Sequence, residues 1–120
     1  MAIVLFINDI HFKHTNSKDT DALLTKINTL TYDVAVVAGD VLDSHEKVDV
    51  QLLNRAYTFL RILRDRSPLF ILVGNHDYIN NQQFLTEQHW MNGMKEWSDV
   101  TIVDKPLRWN DYVFVPYVYP

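Results

Sequence analysis

Three short strings in this chain bring together carboxylate, imidazole and amide side chains: Asp9-Ile10-His11, Gly39-Asp40 and Gly74-Asn75-His76-Asp77. Oxygen and imidazole donors that converge on one point suit hard or borderline divalent ions such as Mn²⁺, Mg²⁺, Fe²⁺ or Zn²⁺. Taken singly, each string has a plain structural use. Asp9 after Asn8 can cap a turn, Gly39-Asp40 is an ordinary strand-end turn, and Gly74-Asn75-His76-Asp77 is a run of turn formers. Their shared context argues for more, because each follows an apolar, β-branched run: Ala2–Ile7, Val34–Ala38 and Leu69–Val73. The runs show no polar alternation, so each predicts a strand buried on both faces. Residues that follow the strands of a parallel sheet collect at its carboxyl edge, where open α/β folds bind ligands. The combination reads as a metal site.

The elements that must position these residues are legible between the strings. Thr20-Asp21 is a cap for a helix through Leu23, Leu24, Ile27 and Leu30. A longer helix is expected over Val48–Arg66, striped by Leu52, Leu53, Ala56, Phe59, Leu60 and Leu63. Arg61, Arg64 and Arg66 near its end complement the helix dipole. A weaker helix is expected over Gln82–Lys95, and Asp99–Val103 and Tyr112–Val115 read as two further strands. Strands alternating with helices predict an α/β fold, a parallel-rich sheet with right-handed βαβ crossovers. Gly39 and Gly74 are expected to let the backbone turn sharply just past their strands.

Bulk properties narrow the field. A chain of 120 residues that is 48% apolar forms one domain with a sizeable core, and disorder is excluded. A net charge of −4 gives no general attraction to nucleic acid, membrane or anionic substrate, so bound cations would have to draw in a phosphate ester. There is no Cys, hence no disulfide framework and no thiolate metal site. No segment approaches a membrane span or a signal peptide, and the expected location is cytoplasmic. The apolar, aromatic run Val113–Pro120 leads to the expectation that this chain is the front part of something longer; a packed C-terminal strand is the alternative.

The remaining polar and aromatic residues have plainer readings. His14, His45 and His89 read as solvated or packing residues, with His45 nearest the strings. Lys13, Lys18, Lys47 and Arg55 are scattered, solvated charges rather than the basic stripe that nucleic-acid binding needs. Trp90, Trp97 and Trp109 read as packing residues before base-stacking ones.

In their order and context the strings resemble the calcineurin-like metallophosphoesterases over residues 1 to about 80: Asp-x-His, then Gly-Asp, then Gly-Asn-His-Asp, each after a strand. Gly39-Asp40-Val41-Leu42-Asp43 is further similar to the Gly-Asp-hydrophobic-hydrophobic-Asp of the Mre11/SbcD nuclease branch, which includes phage recombination nucleases; Val103-Asp104-Lys105-Pro106 is a softer likeness. The resemblance implies the first half of an αββα sandwich, with residues 1–120 as the N-terminal portion of the domain. It implies two divalent ions, Mn²⁺ foremost, with Asp9 and His11 on the first, Asp40 bridging both and the Asn75 amide oxygen on the second. It gives His76 the catalytic place facing the phosphate, Asp43 the place of its partner, and Asp77 a supporting role in the loop. By the same resemblance the substrate is DNA, and the partners are a second copy in a homodimer and a coiled-coil ATPase.

The chain departs from the family pattern in one respect. The later His and the final Gly-His-x-His segment do not occur in these residues, which leaves the second ion with Asp40 and Asn75. Three functions stay open at this point: a DNA nuclease, a phosphoesterase on a small molecule or phosphoprotein, and an incomplete enzyme serving as a binding or assembly module.

Overall fold

A computed structural model describes residues 2–8, 10–13, 15–42, 50–74, 77 and 89–116. The β-branched runs form the centre of the fold. β2 (Val34–Val37) is buried at every position, between β1 (Val4–Ile7) and β3 (Leu69–Leu72), and β4 (Val100–Val103) completes a four-stranded sheet. The spatial order is β1-β2-β3-β4 and every pairing is parallel, with Val4 opposite Val34, Ala35 opposite Leu69, and Leu69 opposite Val100. The expected α/β fold with a parallel sheet is the one observed.

Because the strands follow one another across the sheet in sequence order, right-handed crossovers all fall on one face. That face carries α1 (Ser17–Ile27), α2 (Val50–Arg66) and a short 3₁₀ helix (Trp90–Glu96). Alternate strand residues Ile7, Ala35, Val37, Leu69 and Ile71 meet Ile27, Ala56, Phe59, Leu60, Leu63, Met91 and Met94 in the main core. The other set, Val34, Val36, Phe70 and Val103, packs with Phe114 under a hairpin of β5 (Leu107–Trp109) and β6 (Tyr112–Phe114).

Several elements differ from the sequence expectation. Tyr112–Val115 does not extend the parallel sheet; β6 pairs antiparallel with β5, a strand the apolar pattern is too short to show. The turn between them uses Asn110 in the left-handed region, at φ 51°. β1 is an edge strand, so Phe6 is 53% exposed rather than buried on both faces. α1 starts at Ser17, not at Thr20-Asp21, and the Thr20 hydroxyl donates back to the Ser17 carbonyl at 3.0 Å. Of the expected Gln82–Lys95 helix, Trp90–Glu96 is 3₁₀ rather than α, and residues 81–88 lie outside the described residues.

Two arginines tie the helices to the loops. Arg66 donates to the carbonyls of Ile27 at 3.0 Å and Leu30 at 2.9 Å, and lies over the Tyr32 ring. Arg55 is not a solvated charge: it donates to Lys13 O and Thr20 Oγ1 and covers the Phe12 ring at 5.3 Å. No helix of the described residues is long and apolar enough to cross a membrane.

Candidate metal centre

The loops after β1 and β2 run side by side beyond the sheet. His11 N–H donates to Asp40 O at 3.1 Å and Phe12 N–H to Val41 O at 2.7 Å, which continues the parallel pairing by one bridge between Phe12 and Leu42. Buried apolar neighbours fix both loops: Ile10 and Phe12 flank His11, and Val41 and Leu42 follow Asp40. Phe12 packs edge-on against Phe59 of α2, with centroids 5.5 Å apart. Between these anchors His11 and Asp40 are held half-buried in the left-handed region, at φ 49° and 50°. For residues other than Gly this conformation is sparsely populated and costs about 1–3 kcal/mol, and such strain clusters at functional sites.

Asn16 braces the first loop. Its side chain donates to His11 O at 2.7 Å and accepts from Lys13 N at 3.1 Å, which occupies it with the loop instead of with capping α1. A cleft of about 500 Å³, lined by Asn8, Ile10, His11, Lys13, Asn16 and Asp19, opens beside His11.

The glycines serve different purposes. Gly39 takes φ +91°, a turn that a side chain would strain, and a Cβ there would lie 2.8 Å from the α-carbon of Gly74. Gly74 has no positive φ; its need is space, since a Cβ would collide with the amide and carboxylate of Asp40. The expectation of a sharp turn at both is therefore right for Gly39 and replaced by close approach at Gly74.

Asp77 joins the second and third strings. Its Oδ2 accepts the N–H of Asp40 at 2.9 Å and of Gly74 at 2.8 Å, while Oδ1 accepts the Trp90 indole N–H at 2.9 Å. The side chain is fully buried, and burial raises its pKa to about 6. The hydrogen bonds from Trp90, Gly74 and Leu42 pull the other way, and the nearby Asp40 carboxylate adds to the rise.

The structure brings His11 and Asp40 onto adjacent loops, with Asp77 beneath. Asp9, Asp43, Asn75 and His76 lie outside the described residues, as do His14, His45 and Lys47. Among the described residues, no three His, Cys, Asp or Glu side chains gather as a metal-binding group. His89, which reads as surface or packing in the sequence, is a buried packing residue at the start of the 3₁₀ helix. Its Nδ1 accepts the Met91 N–H at 3.2 Å, which leaves the proton on Nε2 to donate to Asp104 at 3.0 Å. Asp104 also binds Lys95 at 2.7 Å.

The profile of the calcineurin-like phosphoesterases matches residues 3–118. The chain belongs to that family. It is 51% identical over 125 residues to the protein named "Putative phosphoesterase 078R" of Invertebrate iridescent virus 3, covering 98% of this chain and 36% of that protein. It is 43% identical over 124 residues to "Putative phosphoesterase 244L" of Invertebrate iridescent virus 6, covering 98% of this chain and 44% of that one. A more distant match, 34% over 76 residues, is the "Transmembrane protein with metallophosphoesterase domain" of Bos taurus, covering 62% of this chain and 16% of that protein. The chain thus spans 36% and 44% of the length of its two viral relatives. Calcineurin-like phosphoesterases generally use two divalent metal ions, and the His11 imidazole and Asp40 carboxylate on adjacent loops are donor types that such ions take.

Proposed function

We propose that this chain is the N-terminal portion of a dinuclear metal-dependent phosphodiesterase acting on DNA, of the Mre11/SbcD kind. The observation that supports it most is the strained pair: His11 and Asp40, each left-handed, held on adjacent loops by one backbone hydrogen bond of 3.1 Å. The nuclease part rests on the likeness of Gly39-Asp40-Val41-Leu42-Asp43 to that branch. In this reading Asp9, His11 and Asp40 would hold the first ion, and Asp40 and Asn75 would hold the second, most simply Mn²⁺. A bound pair of divalent ions supplies water activation, phosphate orientation and charge neutralisation. His76 would take the catalytic role, stabilising charge or giving a proton to the leaving oxygen, and Asp43 would be its partner.

Two measurements on this chain test the proposal. The first is Mn²⁺ binding, followed by the electron paramagnetic resonance of the free ion. Binding that weakens at least about tenfold in Asp40→Asn is expected; no binding to the unsubstituted chain overturns the reading. The second is Mn²⁺-dependent hydrolysis of bis-p-nitrophenyl phosphate and p-nitrophenyl phosphate. Diester turnover lost in Asp40→Asn supports the phosphodiesterase, and monoester turnover alone moves the substrate to a small molecule or phosphoprotein. Binding without turnover of either makes the chain a half-site that needs further ligands, and a binding or assembly module by itself.

A further inference from the structure

We propose that Trp90 is a positioning residue of the metal centre, acting through Asp77 on the backbone of Asp40 and on Gly74, the residue before Asn75. This rests on the metal-centre reading above. The Trp90 indole N–H holds Asp77 Oδ1 at 2.9 Å, and the same carboxylate holds the Asp40 and Gly74 amides through Oδ2. Oδ2 bridges the two loops, and the indole on Oδ1 fixes the orientation in which the carboxylate does so. Outer partners of this kind keep ligands in place for an ion that demands narrow geometry.

Trp90 is itself positioned from two sides. Its ring meets Tyr57 of α2 at 5.8 Å, and Trp97 meets the same Tyr57 at 5.7 Å. The preceding residue, His89, is fastened to Asp104 just past β4, and its Nδ1 caps Met91. The arrangement therefore runs from the end of β4, through His89 and Trp90, to Asp77 and the loops after β2 and β3. Nothing in the sequence around Trp90 marks it for this role, since a packing tryptophan and a donor to a buried carboxylate read alike.

Trp90→Phe removes the donor and keeps a ring against Tyr57; Trp97→Phe is the control, a ring on the same tyrosine that does not bond Asp77. Two readouts are taken on each: Mn²⁺ affinity, and hydrogen exchange at the Asp40 and Gly74 amides relative to amides of β2 and β3. The proposal expects Mn²⁺ binding weakened at least about tenfold in Trp90→Phe and within about twofold of the unsubstituted chain in Trp97→Phe. It also expects exchange at Asp40 and Gly74 faster by at least about tenfold in Trp90→Phe alone, because opening there no longer breaks a fixed carboxylate. Equal Mn²⁺ affinity in Trp90→Phe and the unsubstituted chain overturns it. Should the unsubstituted chain bind no Mn²⁺, the metal-centre reading fails, and the amide exchange still decides: no selective change overturns the positioning role. Should Trp90→Phe fail to fold, a benzothiophene analogue of tryptophan at position 90, which keeps the bicyclic shape and lacks the N–H, carries the same comparison.

Discussion

The α-carbon of Gly74 faces the carboxylate of Asp40 so closely that a Cβ built on it would fall 2.9 Å from Asp40 Cγ and nearer still to the Asp40 amide and Oδ1. Gly74→Ala must therefore part the two loops, because the nearest clash is with the Asp40 backbone amide, which no side-chain rotation relieves. The variant is expected to lose about 1–3 kcal/mol of stability in urea denaturation, the range for overpacking. Its Mn²⁺ affinity is expected to fall with it. A Gly74→Ala chain with normal stability and normal affinity would show that the loops separate at no cost.

Phe12 and Leu60 are both buried in the main core, but only Phe12 adjoins a proposed ligand. Phe12→Ala is expected to cost about 3–5 kcal/mol and Leu60→Ala about 2–5 kcal/mol, from lost burial and residual cavity. The two should differ in metal binding by the folded fraction. Phe12→Ala releases the anchor beside His11 and weakens Mn²⁺ affinity, whereas Leu60→Ala leaves it unchanged. Equal affinities in the two folded variants would mean that the His11 loop holds its shape without its anchor.

Asp104 provides a pH dependence of known sign. Burial pushes its carboxyl up, but hydrogen bonds from Lys95 and His89 and the charge of Lys95 outweigh that and hold it below the ordinary 3.8. A carboxyl lowered in the folded state contributes stability that is full above 3.8 and is lost as pH falls through the folded value. The stability difference between the unsubstituted chain and Asp104→Asn should be level between about pH 5 and 7 and shrink below about pH 4. Asp77 acts in the opposite sense, since its raised value of about 6 makes ionisation cost stability as pH rises from 3.8. That contribution is common to both proteins and cancels in the difference. Urea midpoints at stepped pH measure it, and a difference that grows on acidification would contradict the assignment.

Arg66, the last residue of α2, closes the C-terminal end of α1. Arg66→Met keeps the aliphatic stem and removes the donors to Ile27 O and Leu30 O. A loss of about 1–2 kcal/mol is expected in urea denaturation, since two carbonyls must then turn to water. No change would show that water already serves these carbonyls equally well.

The sequence discloses the parts of this fold that depend on local patterning. Val34–Val37 and Leu69–Leu72 are apolar at every position because both faces of their strands are covered, and that is visible without a structure. The stripe Leu52, Ala56, Phe59, Leu60 and Leu63 likewise marks the buried side of α2. The glycine at Gly39 is legible as a turn. What stays hidden depends on distant partners. Trp90 finds Asp77 across 13 positions and His89 finds Asp104 across 15, with no spacing rule linking either pair. β5 is three residues long, too short for a period, though Asn110-Asp111 between two aromatics is a hairpin turn that could have revealed it.

The strand order β1-β2-β3-β4 has a consequence for how the protein comes into being. Each strand lies beside the one made just before it, so a chain leaving the ribosome can add to its sheet from one side without waiting for distant segments. The loops bearing His11 and Asp40 meet as soon as β2 settles on β1. Gly74 and Asp77 arrive next, and Trp90 after them. The indole that fixes Asp77 is thus synthesised after the loops it helps to hold, and a nascent chain that stalls before Trp90 carries loops that are paired but not yet clamped.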